Sequence, residues 1–180
     1  MISYRRVLPA EAAAVAGHLK RLSPAQRQTR FFHYVGDDAI DRYVDGITWS
    51  RAVVVGAFDE GHLRGVAEVM QGVGCAELAV SVETDWQGLH RATELTRRAL
   101  LAARNRSFGD VSVRFLRENG PMKGIARRFG GGVRYEEGEL VSEIHMDAAT
   151  PQTMSEEMAG EGLGWIGDFP DRSAAMTPGM

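Results

Sequence analysis

Ala76-Glu77-Leu78-Ala79-Val80-Ser81-Val82, continued by Glu83-Thr84-Asp85-Trp86-Gln87-Gly88-Leu89-His90-Arg91-Ala92, decides how this chain is read. In the first stretch Leu78, Val80 and Val82 alternate with Glu77, Ala79, Ser81 and Glu83, the period-two pattern of a half-buried strand. Glu83 to Trp86 reads as a turn. From Ala92 to Asn105 the residues Leu95, Ala99 and Ala102 then recur at helical spacing. A strand, a short glycine-containing loop and a helix N-terminus form a frame that can receive a diphosphate. Backbone N–H groups and the positive end of the helix complement the charge, and small residues let the chain come close. The same frame also serves as an ordinary strand-to-helix connection.

Working outward, Arg51 to Phe58 and His62 to Met70 read as strands joined by the turn signal Glu60-Gly61. Ahead of them lie a short strand, Ile2 to Val7, and a helix from Pro9 to about Leu22. A second helix opens at Ser23-Pro24, and a third runs from Ala39 to Asp45, ended by Gly46. Downstream, Val111 to Leu116 alternates as a strand, and Asn119-Gly120-Pro121 opens a helix ending near Phe129. A hairpin follows, Val133 to Tyr135 and Leu140 to Met146, about the turn Glu137-Gly138. This order predicts an α/β (α+β) domain with a mixed, mostly antiparallel sheet of seven strands and helices on both faces. The domain spans residues 1–146. Residues 147–180 form a tail whose composition favours disorder, with Trp165, Ile166 and Phe169 as anchors to the domain or to a partner subunit in a homodimer.

The 180 residues suit one domain, with 44% apolar and 25% charged side chains. A formal charge of −3 argues against a nucleic-acid binder. The single cysteine, Cys75, excludes an intramolecular disulfide and a thiolate cluster. His18, His33, His62 and His145 stand singly, without metal-ligand spacing, so no metal is expected. Charges at Arg5, Arg6 and Glu11 interrupt any leader-like start, and no run reaches the roughly 18 apolar residues of a membrane helix. The expected location is cytoplasmic, away from membranes.

From Tyr4 to Met146 the chain resembles the GNAT superfamily of N-acetyltransferases. The resemblance is strongest at Ala76–Val82 with Asp85-Trp86-Gln87-Gly88, and continues at Leu116-Arg117-Glu118-Asn119 and Ala126-Arg127-Arg128-Phe129-Gly130. Arg21-Leu22-Ser23-Pro24 with Arg30-Phe31-Phe32 looks like the acetyltransferase domain of bacterial protein-lysine acetyltransferases. The resemblance implies acetyl-CoA as co-substrate and an amine acceptor, on a protein lysine or a small molecule. It implies that the strand from Leu78 to Val82, with Val80, Ser81 and Val82, splays from its neighbour and binds the pantetheine through its main chain, chiefly around Val80 and Val82. Gln87, Gly88, Leu89, His90, Arg91 and Ala92 would wrap the pyrophosphate, with Asn119 near the pantetheine or thioester. The chain departs from the family at His90, where glycine is usual, and at Ala126, where many members carry a tyrosine that protonates the thiolate.

Transfer to an amine needs a base. Glu77 is the first candidate, on a strand where partial burial would raise a carboxyl pKa; the resemblance gives a glutamate here the same role. Glu68, between Ala67 and Val69 on the preceding strand, is the second. Glu83 reads as a helix cap or surface charge. Two functions follow: an acetyl-CoA-dependent N-acetyltransferase acting by direct attack, or a non-catalytic binding protein of this fold whose coenzyme A loop is degenerate at His90.

Overall fold

The computed structural model describes residues 2–130 and 132–168. Seven strands form one sheet: β1 (Ile2–Arg6), β2 (Ala52–Asp59), β3 (His62–Gln71), β4 (Ala76–Val82), β5 (Val111–Phe115), β6 (Val133–Glu136) and β7 (Glu139–Ile144). Their order is β1-β2-β3-β4-β5-β7-β6. Every neighbouring pair is antiparallel except β4 and β5, which are parallel. That exception follows from the chain order, because α4 (Arg91–Arg104) intervenes and returns the chain to the same end of the sheet.

Two cores flank the sheet. On one face α4 and α5 (Gly120–Phe129) pack Leu95, Ala99, Ala103, Ile125 and Ala126 against Val55, Val69, Leu78, Val113 and Phe115. On the other, α1 (Ala12–Arg21) and α3 (Asp37–Asp45) pack Val15, Leu19, Ile40 and Val44 against Val54, Phe58 and Val66. β2 is buried from Ala52 to Phe58 because helices cover both of its faces. Each large apolar side chain so buried contributes about 2 kcal/mol. The second helix, α2 (Pro24–Phe31), starts with a reciprocal cap. Ser23 Oγ accepts from Gln26 N at 3.2 Å, and Ser23 N donates to Gln26 Oε1 at 2.9 Å.

Beyond the sheet the chain forms α6 (Pro151–Asp168), where composition favoured disorder. Thr150 and Thr153 cap it: Thr153 N donates to Thr150 Oγ1 at 3.2 Å. Its glycines, which weigh toward disorder in a composition count, let it lie close to β1. A Cβ on Gly164 would clash with the Tyr4 carbonyl oxygen. The helix also covers a strand edge, since Arg6 N donates to Glu161 Oε2 at 2.9 Å. Of the expected anchors, Trp165 stacks over the Arg5 guanidinium at 4.1 Å and Ile166 is exposed. Phe169 lies outside the described residues. Among the described residues no helix is long and apolar enough to cross a membrane.

Candidate active site

Strands β4 and β5 pair only at Ala76↔Val111, Glu77↔Ser112 and Leu78↔Val113. Beyond Leu78, β4 stays with β3 and β5 stays with β7, so the sheet opens between them. Ala76 N donates to Asp110 O at 3.0 Å and Glu83 N to Arg64 O at 3.0 Å. By strand alternation the main chains of Leu78, Val80 and Val82 therefore face the opening, whereas Ala79, Ser81 and Glu83 face β3. Val80 and Val82 thus lie where a ligand could pair with β4 as a strand does. Ser81, expected with them, presents only its side chain. The Val82 carbonyl already accepts from Gln26 Nε2 at 2.9 Å and Gln87 Nε2 at 3.2 Å.

A cavity of about 630 Å³ occupies the opening. β4 from Glu77 to Val82 forms one wall, Gln26, Thr29 and Arg30 of α2 another, and the start of α5 with Asn119 a third. The loop before α4 closes one end with Gln87, Gly88, His90, Arg91 and Ala92. In that loop Gly88, Leu89 and His90 have φ of 82°, 47° and 57° in succession. Successive turn residues of this kind aim N–H groups into a concavity suited to an anion. Ala92 and Thr93, first-turn residues whose N–H groups have no acceptor inside their helix, line the same end. His90 departs from glycine in identity and still holds the left-handed torsion that glycine would adopt. Leu89 turns to solvent. Arg91 Nη1 donates to Trp86 O at 2.7 Å, and its guanidinium lies 5.3 Å from the Trp86 ring centroid. Asn119 caps α5, accepting from Met122 N at 3.2 Å.

Glu77 and Glu68 fall on one sheet face, in different settings. The burial expected of Glu77 is not found: its side chain is 64% exposed, with Arg114 Nε 3.7 Å away. The strand turns this face toward the open cavity instead of a packed layer. Glu68 is 1% exposed and lies behind the cavity wall, bound by Arg30 and by Tyr43 Oη at 2.9 Å. Burial and the Glu68 charge push the Tyr43 hydroxyl up.

Glu83, expected as a cap or surface charge, is buried. His18 Nδ1 lies 3.2 Å from it, Arg21 Nε 2.9 Å and Arg64 Nη1 3.2 Å. Burial works to raise its carboxyl, but the bonds from His18 and Arg21 hold it below the ordinary value. His18 also meets Ser81 Oγ at 2.9 Å. These partners were missed in sequence. Val15, His18, Leu19 and Leu22 stand at i, i+3, i+4 and i+7, a spacing that marks His18 as buried. The Ser23–Gln26 capping-box spacing places Gln26 in the first turn of α2 but carries no sign of its contact with Val82.

No protein-family model matches the chain, and no curated protein matches it. Solved structures do. The GNAT domain of S. lividans PAT superposes with a TM-score of 0.67 at 19% identity, covering 79% of this chain and 89% of that one. An N-acetyltransferase from Staphylococcus aureus gives 0.66 at 11% identity, over 82% and 99%. The PaiA N-acetyltransferase from Thermoplasma acidophilum, solved in complex with coenzyme A, gives 0.59 at 12% identity, over 81% and 99%. With the seven-stranded order and the parting of β4 from β5, these superpositions show that the chain has the GNAT acetyltransferase fold.

Proposed function

We propose that this protein is an acetyl-CoA-dependent N-acetyltransferase that moves an acetyl group to a primary amine by direct attack. The observation that carries the reading is the continuity of one cavity, from the open edge of β4 at Val80 to the anion-suited loop at Gly88–His90. Its shape fits a long molecule with a diphosphate at one end and a hydrogen-bonding amide arm at the other. The diphosphate would rest on the N–H groups ahead of and within the first turn of α4, and the pantetheine arm would pair with the main chain around Val82 and Val80, with its thioester end level with Val80 and the neighbouring Ser81. The acceptor amine would approach from the α2 side, where the Glu77 carboxylate stands in the cavity wall and takes a proton directly or through water.

The test is thermal unfolding with acetyl-CoA. At a hundredfold excess over Kd, binding adds about 2.7 kcal/mol, which raises Tm by about 5 to 10 °C for a domain of this size. An unmoved Tm overturns the reading. Glu77→Gln is expected to lower kcat by about 100-fold or more while leaving that Tm shift intact.

A further inference from the structure

Ser81 lines the cavity, and its hydroxyl reaches the buried ring of His18, with Oγ 2.9 Å from Nε2. On the far side of the ring, Nδ1 lies 3.2 Å from Glu83 Oε1. Arg21 and Arg64 hold that carboxylate in place. A carboxylate only accepts, so Nδ1 carries a hydrogen toward Glu83; in the tautomer with its hydrogen on that nitrogen, Nε2 offers its lone pair to the Ser81 hydroxyl. Hydroxyl, imidazole and carboxylate thus stand in the order that activates a hydroxyl group. His18 is 0% exposed. Ser81, bonded to Nε2, is among the residues lining the cavity, and His18 is not.

We propose that Ser81, with His18 and Glu83 behind it, is a proton relay that takes the proton of the nucleophile attacking the bound thioester; this rests on the acyl-transfer reading above. The nitrogen lone pair forms a C–N bond to the thioester carbonyl carbon. A proton on that nitrogen passes to Ser81 Oγ as the Ser81 hydroxyl proton passes to His18 Nε2. Collapse breaks the C–S bond, and its electron pair leaves on sulfur. The imidazolium then returns its proton through Ser81 to the thiolate, which restores the neutral ring and yields coenzyme A thiol.

Burial of His18 decides against Ser81 as a covalent nucleophile. An acyl-serine route needs the imidazole to protonate the leaving group and then activate a second nucleophile; once Ser81 Oγ carries the acyl group it passes no proton, and a ring without exposed surface reaches neither by itself. Ser81 is the catalytic residue of the relay; His18 and Glu83 are its positioning residues. Glu77, on the same face of β4, stands about 13 Å along the strand at roughly 3.3 Å per residue. It therefore handles a different proton, the one an arriving ammonium sheds toward solvent.

The test combines nitrogen NMR of labelled histidine with turnover of acetyl-CoA, using butylamine as acceptor and the whole chain. His18 is expected neutral with hydrogen on Nδ1. Ser81→Ala is expected to lower kcat about 100-fold with the calorimetric Kd for coenzyme A unchanged, and Ser81→Thr to restore most of the rate. The proton inventory should fall from two transferred protons to one. Hydrogen on Nε2, a charged ring at neutral pH, wild-type turnover in Ser81→Ala, or an acylated Ser81 peptide by mass spectrometry each overturns the relay. Failure of coenzyme A to bind the wild-type chain removes acyl transfer itself, and the relay with it. Binding with unaffected Ser81→Ala turnover removes the relay alone.

Discussion

Gly88 holds φ at +82° with open space where a Cβ would stand, so a side chain there meets only torsional strain. Gly88→Ala is expected to cost about 1 kcal/mol and to lower Tm by about 2 to 4 °C, read by circular dichroism. The same strain is already carried at His90, a residue type enriched in left-handed turns. A pattern match at this position registers the missing glycine but not the torsion, and so the loop looked more altered in sequence than it is in shape. Glu83 shows the reverse. Its place at a strand end suggested solvent, because the residues that enclose it come from α1 and β3. With its carboxyl held low, Glu83 contributes stability above the ordinary carboxylate value of about 4.3, and loses it as pH falls through the lower folded value. Urea midpoints measured against pH should therefore fall less steeply on the acid side for Glu83→Gln. At Glu68, removing Arg30 leaves a buried carboxylate with the Tyr43 hydroxyl but without its positive partner. Arg30→Met is expected to destabilise by about 3 to 5 kcal/mol in urea unfolding.

Elements with a strong internal period were legible from the sequence. β4 alternates, α4 repeats every three to four residues, and the structure bounds both within one residue of the sequence reading. α6 was not legible, because four glycines dilute its pattern and its justification lies in β1, more than 140 residues away. Gly164→Ala tests that origin. The added methyl group cannot fit over the Tyr4 carbonyl, so α6 should lift from β1 and expose its edge. Hydrogen exchange at the Arg6 amide, now bonded to Glu161, is expected to quicken while α4 amides stay protected. Equal protection of Arg6 in both forms would mean that the helix is held by other contacts.

Across the whole molecule, the strand sequence and helix placement were readable because each element declares its own period. The parting of β4 from β5 was implied by the family resemblance and not by the strands' own periods, since it depends on how far two separate hairpin systems diverge. Cavity walls drawn from α2, such as Gln26 and Thr29, were hidden for the same reason. The main-chain link between the blocks β1–β4 and β5–β7 is short, three residue pairs in all. It works as a notch does in a plate: small rocking of one block on the other concentrates there, and a rod laid along the slit would splint the two together.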